Sequence, residues 1–390
     1  MTSPSTSNKR GKQLALGLGS TLLMLGLAEV TVRVLGIAPP RFHETRHLES
    51  ADKRIGIDVY PREGATPELH YPTQLLVRGP NVNPTFGPRE FAETDALILR
   101  MPDVASWAEA APLGFVGHYS EEHCRVAHDG DAIPLPSPTR KRVLFVGDSF
   151  IEGQGVMYET TASTRVADAL HRTDVDVINC GRRGYDFPAL GDFIEAHLTD
   201  TPELVVYAMT LNDAERSEAF QAQQSYVDDW IVDRRRMTSG APSVSFFTPR
   251  LFALAQDRLE GIRIGAATMR WYEDMYAAPN EAGWTHTLDR LEALRTRIES
   301  HGGRLLIALW PLLTRLSSYP FDATHETIGA AMRARQLNFV DTLPAFRGED
   351  EVTLWVHAVD HHPNSVAHSL FAGAILPAIE SSLREIEQTP

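Results

Sequence analysis

The sequence predicts an α/β fold, a three-layer sandwich whose mostly parallel sheet carries helices on both faces. Two observations carry the sandwich. From Arg142 onward, short continuous apolar runs alternate with helical patterns, and strands that are apolar throughout belong to sheets buried on both sides. Polar turns rich in Gly, Asp and Asn follow those runs, at the edge where open α/β sheets bind ligands. A third observation adds an N-terminal transmembrane helix, because residues 14–37 form a long apolar stretch.

Residues 1–13 are polar, with Lys9, Arg10 and Lys12 at their end. Leu14–Ala28 is uncharged, and only Glu29 and Arg33 interrupt the apolar pattern up to Ile37. These two lie one helical turn apart, where they partly neutralise each other. The whole stretch reaches the ~20 residues a bilayer core demands. The uncharged part alone would suit a signal-peptide core, with small residues at Gly26 and Ala28. We expect 14–37 to be a signal-anchor, with a cleaved, secreted form as the alternative. The basic residues before it place 1–13 in the cytoplasm and everything after about residue 40 on the exported, periplasmic side of the inner membrane.

Pro39-Pro40 ends that helix. Residues 38–140 are irregular and rich in Pro, Gly and His, with one short helical pattern at Asp103–Ala110 and a final linker at Pro134–Pro138. They read as a lead-in that wraps the main domain.

The domain 141–390 is expected to hold strands at Val143–Val146, Val175–Ile178, Leu204–Met209, Leu305–Trp310 and Phe339–Val340. Helices are expected at Thr161–His171, Pro188–Leu198, Ala214–Arg236, Thr285–His301, Ala323–Arg335 and Ser365–Leu383. Residues 232–276 interrupt the alternation as a partly helical insertion.

The net charge of -14 excludes a basic nucleic-acid-binding surface. Two cysteines, Cys124 and Cys180, give neither a disulfide framework nor a zinc spacing, and they form either one bridge or two buried thiols.

Four strand ends carry polar residues suited to chemistry. Gly147-Asp148-Ser149-Phe150 follows the first strand and exposes a hydroxyl beside a helix N-terminus. Asn179 to Gly184 follows the second and includes Gly181, where a backbone N–H can approach a ligand closely. Thr210-Leu211-Asn212-Asp213 follows the third and offers an amide donor. Asp360-His361-His362-Pro363-Asn364 precedes the last helix, with His368 a turn further on, and supplies an acid–base pair. Each block alone suits an ordinary turn, cap or polar loop. Together they provide a nucleophile, oxyanion donors and a base.

These four blocks resemble the SGNH (GDSL-like) hydrolase family, over roughly Arg142 to the C-terminus, and the N-terminal anchor with Gly114-Phe115 resembles its membrane-anchored bacterial branch. Two places depart from the pattern: Thr210 stands where a glycine is usual, and Asp360 lies two residues before His362 rather than three. Pro363 and Asn364 favour His362 over His361 as the base.

The resemblance implies a flavodoxin-like five-stranded sheet and an esterase. Ser149 is then the nucleophile, His362 the base and Asp360 its partner, with Ser149, Gly181 and Asn212 forming the oxyanion hole. Arg182 and Arg183 lie beside that hole as possible contacts to an anionic substrate. No cofactor is required. The expected partners are the membrane and an ester-bearing substrate such as an envelope glycan or lipid. An O-acyltransferase using the same triad is the nearest alternative. A non-catalytic glycan-binding or scaffold protein is an alternative of another class. A phosphate binder is disfavoured, because the first block has too few glycines and no nearby lysine.

Overall fold

The computed structural model describes residues 7–35, 48–49, 56–60, 74–78, 116–120, 122, 124–128, 130–137, 139–154, 156–182, 184–197, 203–221, 249–357 and 360–388. The expected helix at Asp103–Ala110 and the Gly114-Phe115 pair lie outside them. The chain forms two compact units, Met1–Glu44 with Ala222–Trp271, and Thr45–Gln221 with Tyr272–Pro390.

In the first unit, α1 (Ser7–Val34) is one continuous helix. Its apolar part, Gly11–Val34, has 24 residues and none of it is buried. At 1.5 Å per residue that is about 36 Å, longer than a hydrocarbon core of about 30 Å. Arg33 Nε donates to Glu29 Oε1 at 2.6 Å, as their spacing predicts. The same carboxylate accepts the backbone N–H groups of Arg250 and Leu251, at 2.8 and 2.9 Å, and so caps the start of the helix Arg250–Asp274.

The second unit holds the sheet. Its early strands are β1 (Leu48–Glu49), β2 (Gly56–Tyr60), β3 (Gln74–Arg78), β4 (Val116–Tyr119) and β5 (Arg125–Val126). The lead-in is thus not irregular throughout, since these strands extend one edge of the sheet. They are two to five residues long, too short for an alternating pattern to stand out.

From there β6 (Lys141–Gly147) leads into the one-turn helix α2 (Ser149–Glu152) and then α3 (Ala162–Leu170). The next elements are β7 (Val175–Asn179), α4 (Phe187–His197), β8 (Glu203–Met209) and α5 (Arg250–Asp274). The series continues with α6 (Glu281–Ser300), β9 (Arg304–Leu309), α7 (Asp322–Ala334) and β10 (Asn338–Asp341). A short α8 (Leu343–Phe346), a hairpin of β11 (Trp355–His357) and β12 (Asp360–Pro363), and α9 (Ser365–Gln388) complete the chain.

The five central strands are parallel and lie in the order β7-β6-β8-β9-β10, the flavodoxin-like order expected. Helices α3 and α9 pack together on one face, and α4 and α6 on the other. Arg335, which follows α7, ties that helix to Asp289 and Glu292 of α6. Val143, Phe145 and Val146 of β6 are fully buried. Burying such side chains stabilises the fold by roughly 1.5–3 kcal/mol each. Trp310, one residue past β9, stacks flat on Phe371 of α9 with ring centroids 3.8 Å apart.

Two local expectations are corrected. The fourth strand stops at Leu309, although the Trp310 N–H still reaches Met209 O at 2.9 Å. The helix expected from Ala214 is absent over 214–217 and is helical only at 218–221, while 222–248 lie outside the described residues. The Glu215 and Ser217 N–H groups bond to Thr287 Oγ1 and Asn280 Oδ1, each at 2.8 Å, so this stretch is held by tertiary partners. The described part of the insertion forms the long helix α5, which ends at Asp274.

Candidate active site

Strand β6 carries Ser149 to the carboxyl edge of the sheet. A Cβ on Gly147 would lie 2.5 Å from Ala208 O, so only glycine lets β6 finish this close to β8. Asp148 N-caps α2, its Oδ1 accepting the Phe150 N–H at 2.8 Å. This cap fixes Ser149 as the first residue of the helix.

His362 comes from the β11–β12 hairpin. Its Nε2 lies 2.9 Å from Ser149 Oγ, so the pair singled out in the sequence meets across 213 residues. His361 points elsewhere: it stacks on Trp355 at 3.8 Å. Asn364 explains the placement. Its Nδ2 donates to Thr353 O, in the turn before the hairpin, and to Trp355 O at the start of its incoming arm, at 2.8 and 3.1 Å. Its Oδ1 accepts the Val366 and Ala367 N–H groups at the start of α9. One side chain thus joins hairpin to helix and sets the position of His362, two residues earlier. Phe150 packs its ring edge against His362, with centroids 5.6 Å apart. Asp360 lies in β12, and its side chain is outside the described residues.

Sequence reasoning did not single out Gln154. It is buried, and its Nε2 lies 3.1 Å from His362 Nδ1. Gly153 makes this possible: it ends α2 with φ of 79° and turns the chain back toward the histidine. That left-handed glycine is the only signal in the sequence.

Asn212 occupies the third strand end. Its Oδ1 accepts from Thr210 Oγ1 at 3.0 Å, and among the described residues no protein acceptor takes its Nδ2. Thr210, which stands where a glycine was expected, faces three acceptors: Asp148 Oδ2 at 3.1 Å, Asn212 Oδ1 at 3.0 Å and Asp213 Oδ1 at 2.8 Å. One hydroxyl has one proton to give. A further proton on the Asp148–Asp213 pair lets Thr210 accept as well as donate. Burial favours that state. It pushes the Asp148 carboxyl up to about 6, against the opposing pull of the Phe150 N–H, His362 and Thr210. Burial, with the Asp148 charge, also raises Asp213 well above the usual carboxylate range.

Gly181 follows β7 at the same edge of the sheet. Its N–H donates to Asn179 Oδ1 at 3.0 Å. A Cβ there would lie 2.4 Å from the Glu152 N, so the glycine lets the loop after β7 pack on the α2 backbone. Arg182 is not aimed at the serine. Its guanidinium lies 4.3 Å from the Phe193 ring, and its Nη2 donates to Glu122 O at 3.3 Å. Arg183 lies outside the described residues. Cys124 and Cys180 form a disulfide, which settles the choice the sequence left open and anchors the residue preceding Gly181. His368 is a core residue. Its Nδ1 accepts the Ala162 N–H at 3.0 Å, and burial lowers its pKa to about 3, which keeps it neutral. Among the described residues no group of His, Cys, Asp and Glu could hold a metal ion.

No model of a known protein family matches the chain, and neither does any curated protein. Solved structures similar to it include a member of the lipolytic protein G-D-S-L family from Veillonella parvula, with 14% identity, 62% of this chain and 98% of that chain covered, and a TM-score of 0.35. Phospholipase A1 from Streptomyces albidoflavus shares 12% identity over 62% of this chain and 98% of its own, with a TM-score of 0.38. An acetylxylan esterase from Geobacillus stearothermophilus, a catalytic mutant, shares 14% identity over 63% and 93%, with a TM-score of 0.37.

Proposed function

We propose that this chain is a serine ester hydrolase of the SGNH type. The observation that carries the reading is the 2.9 Å contact between Ser149 Oγ and His362 Nε2 at the carboxyl edge of a parallel sheet. Ser149 attacks the ester carbonyl while His362 Nε2 takes the hydroxyl proton, and the histidine then returns it to the leaving alkoxide. Water releases the acyl group in a second round of the same steps. Asp360 orients the imidazole from Nδ1. The Ser149 N–H and the Asn212 Nδ2 donate to the oxyanion. The Gly181 N–H joins them only by sharing the acceptor it has in Asn179 Oδ1.

Residues 14–37 serve as a signal-anchor, with 1–13 in the cytoplasm and the hydrolase unit on the exported side. Supporting this are the basic residues before α1, its unburied apolar surface and the Cys124–Cys180 disulfide, a bond that persists in oxidising compartments. A tethered, exported esterase meets esters of envelope glycans or lipids, and these are the substrate class we assign. The test is fluorophosphonate labelling of the purified chain, alongside hydrolysis of acetyl and longer acyl esters with and without a glycan acceptor. Labelling at Ser149, lost in Ser149→Ala, supports the reading. An unlabelled, folded protein sinks it, and acyl transfer exceeding hydrolysis when glycan is present reassigns it as a transferase.

A further inference from the structure

We infer that Asp213 is a neutral carboxylic acid that donates to Thr210, and that Thr210 in turn donates to Asn212 and so turns the Asn212 N–H toward the oxyanion. Thr210 and Asp213 are then positioning residues. The inference rests on the assignment of Asn212 as an oxyanion donor.

An asparagine amide has a donor end and an acceptor end of nearly the same shape, and its hydrogen bonds decide which way it lies. Only the nitrogen end stabilises an oxyanion. The inner end of Asn212 lies 3.0 Å from Thr210 Oγ1, its one side-chain partner among the described residues. The direction of that hydroxyl therefore fixes the direction of the amide. When Thr210 donates to Asn212 it holds the amide oxygen and leaves the nitrogen to the substrate. When Thr210 donates elsewhere it accepts from the nitrogen, and the amide oxygen faces the developing negative charge.

Asp213 makes the choice. Its Oδ2 accepts the Tyr207 O–H at 2.7 Å and the Thr210 N–H at 3.0 Å. Its Oδ1 meets only Thr210 Oγ1, at 2.8 Å. That division suits a carboxylic acid with its carbonyl at Oδ2 and its O–H at Oδ1. The residue is fully buried, and none of its side-chain partners among the described residues is a cation. An ionised carboxylate is costly in such a place, and burial with the Asp148 charge raises its pKa well above the usual range.

With Oδ1–H donating, Thr210 keeps its own proton to give. Asn212 Oδ1 takes it at 3.0 Å, with Asp148 Oδ2 as a second, longer acceptor at 3.1 Å. The turn is fixed by Tyr276 O–H and Asp213 N–H, which donate to Thr210 O at 3.2 and 3.3 Å. The glycine usual at position 210 has no hydroxyl, so this relay belongs to the departure noted in the sequence.

Two measurements on the full chain in detergent test this. In the first, kcat and KM for a small ester are compared in wild type, Thr210→Val and Thr210→Ser. Valine lowers kcat at least about tenfold with little change in KM, and serine restores most of it. Thr210→Val combined with Asn212→Ala is no slower than Asn212→Ala alone, because Thr210 acts through Asn212. A folded Thr210→Val protein with wild-type kcat, or a loss that adds in full to that of Asn212→Ala, overturns the inference.

The second measurement needs no turnover. Infrared spectra of wild type and Asp213→Asn are compared at about pH 8, where Asp148 is ionised. The expected difference is a C=O stretch of a protonated carboxylic acid, present in the wild type and lost in the variant. A difference spectrum that shows only an ionised carboxylate overturns the inference. Asn212→Ala with wild-type kcat would instead sink the oxyanion assignment and leave the infrared result standing.

Discussion

Ser149 Oγ and His362 Nε2 lie 2.9 Å apart, one on the first turn after β6 and the other on a hairpin outside the main sheet. The pair acts as a unit, so removing either member removes the whole step. Ser149→Ala and His362→Ala should each reduce ester turnover by at least about 10³-fold, and the double variant should be little worse than either. Additive losses in kcat would show that the two groups do not cooperate.

Asn212 differs, because it is one donor among several. Asn212→Ala should lower kcat by about 10²–10³-fold with KM nearly unchanged. A rise in KM at constant kcat would mean that Asn212 binds substrate in the ground state and not the oxyanion.

The Asp148–Thr210–Asp213 cluster makes stability depend on pH. Burial raises the folded-state pKa of Asp148 to about 6, above its unfolded value. Such a group contributes stability that is complete below the unfolded pKa of about 3.9 and is lost as pH rises through the folded one. The melting temperature should therefore fall between about pH 4 and pH 6 by the equivalent of about 2 to 3 kcal/mol. Asp148→Asn keeps the cap oxygen and should flatten this part of the curve; a wild type equally stable at pH 4.5 and 7 would contradict the assignment.

Cys124 and Cys180 are 56 residues apart in the chain. Closing a loop of that length stabilises a fold by about 4 kcal/mol in the chain-entropy model. Reductant should lower the denaturant midpoint of the wild type and leave a Cys124→Ser/Cys180→Ser variant unmoved. Equal midpoints with and without reductant would show that the bridge contributes nothing to folding stability.

Gly181→Ala tests packing at the site edge. The added methyl meets the Glu152 backbone, which cannot swing aside as a flexible side chain would. The variant should lose about 1–3 kcal/mol of stability, and its kcat should fall as α2 shifts. Unchanged stability would mean that the loop after β7 yields freely.

The parallel sheet was legible in the sequence because β6, β8 and β9 each carry a continuous apolar run, buried in β6 and β9 over almost its whole length. Ser149 was legible because it follows directly on a strand end, where sequence position implies location; His362, inside β12 and away from the main sheet, was legible only from the residues around it, Asp360, Pro363 and Asn364. Gln154 was not, since its partner lies 208 residues away and no local pattern marks the contact. The helix expected from Ala214 failed for a similar reason. Thr287 and Asn280, far along the chain, hold the backbone at Glu215 and Ser217, and no local pattern marks those contacts. Gly181 was placed at the correct edge, and what its N–H bonds to depended on the Asn179 side chain.

The hairpin that carries His362 forms its own two-stranded sheet, joined to α9 through Asn364 and separate from the sheet that carries Ser149. Nucleophile and base thus belong to regions of unequal resistance to opening, because a short ribbon opens at a smaller free energy than a central sheet. Mild denaturant should silence the chemistry while the far-ultraviolet circular dichroism of the sandwich is still intact.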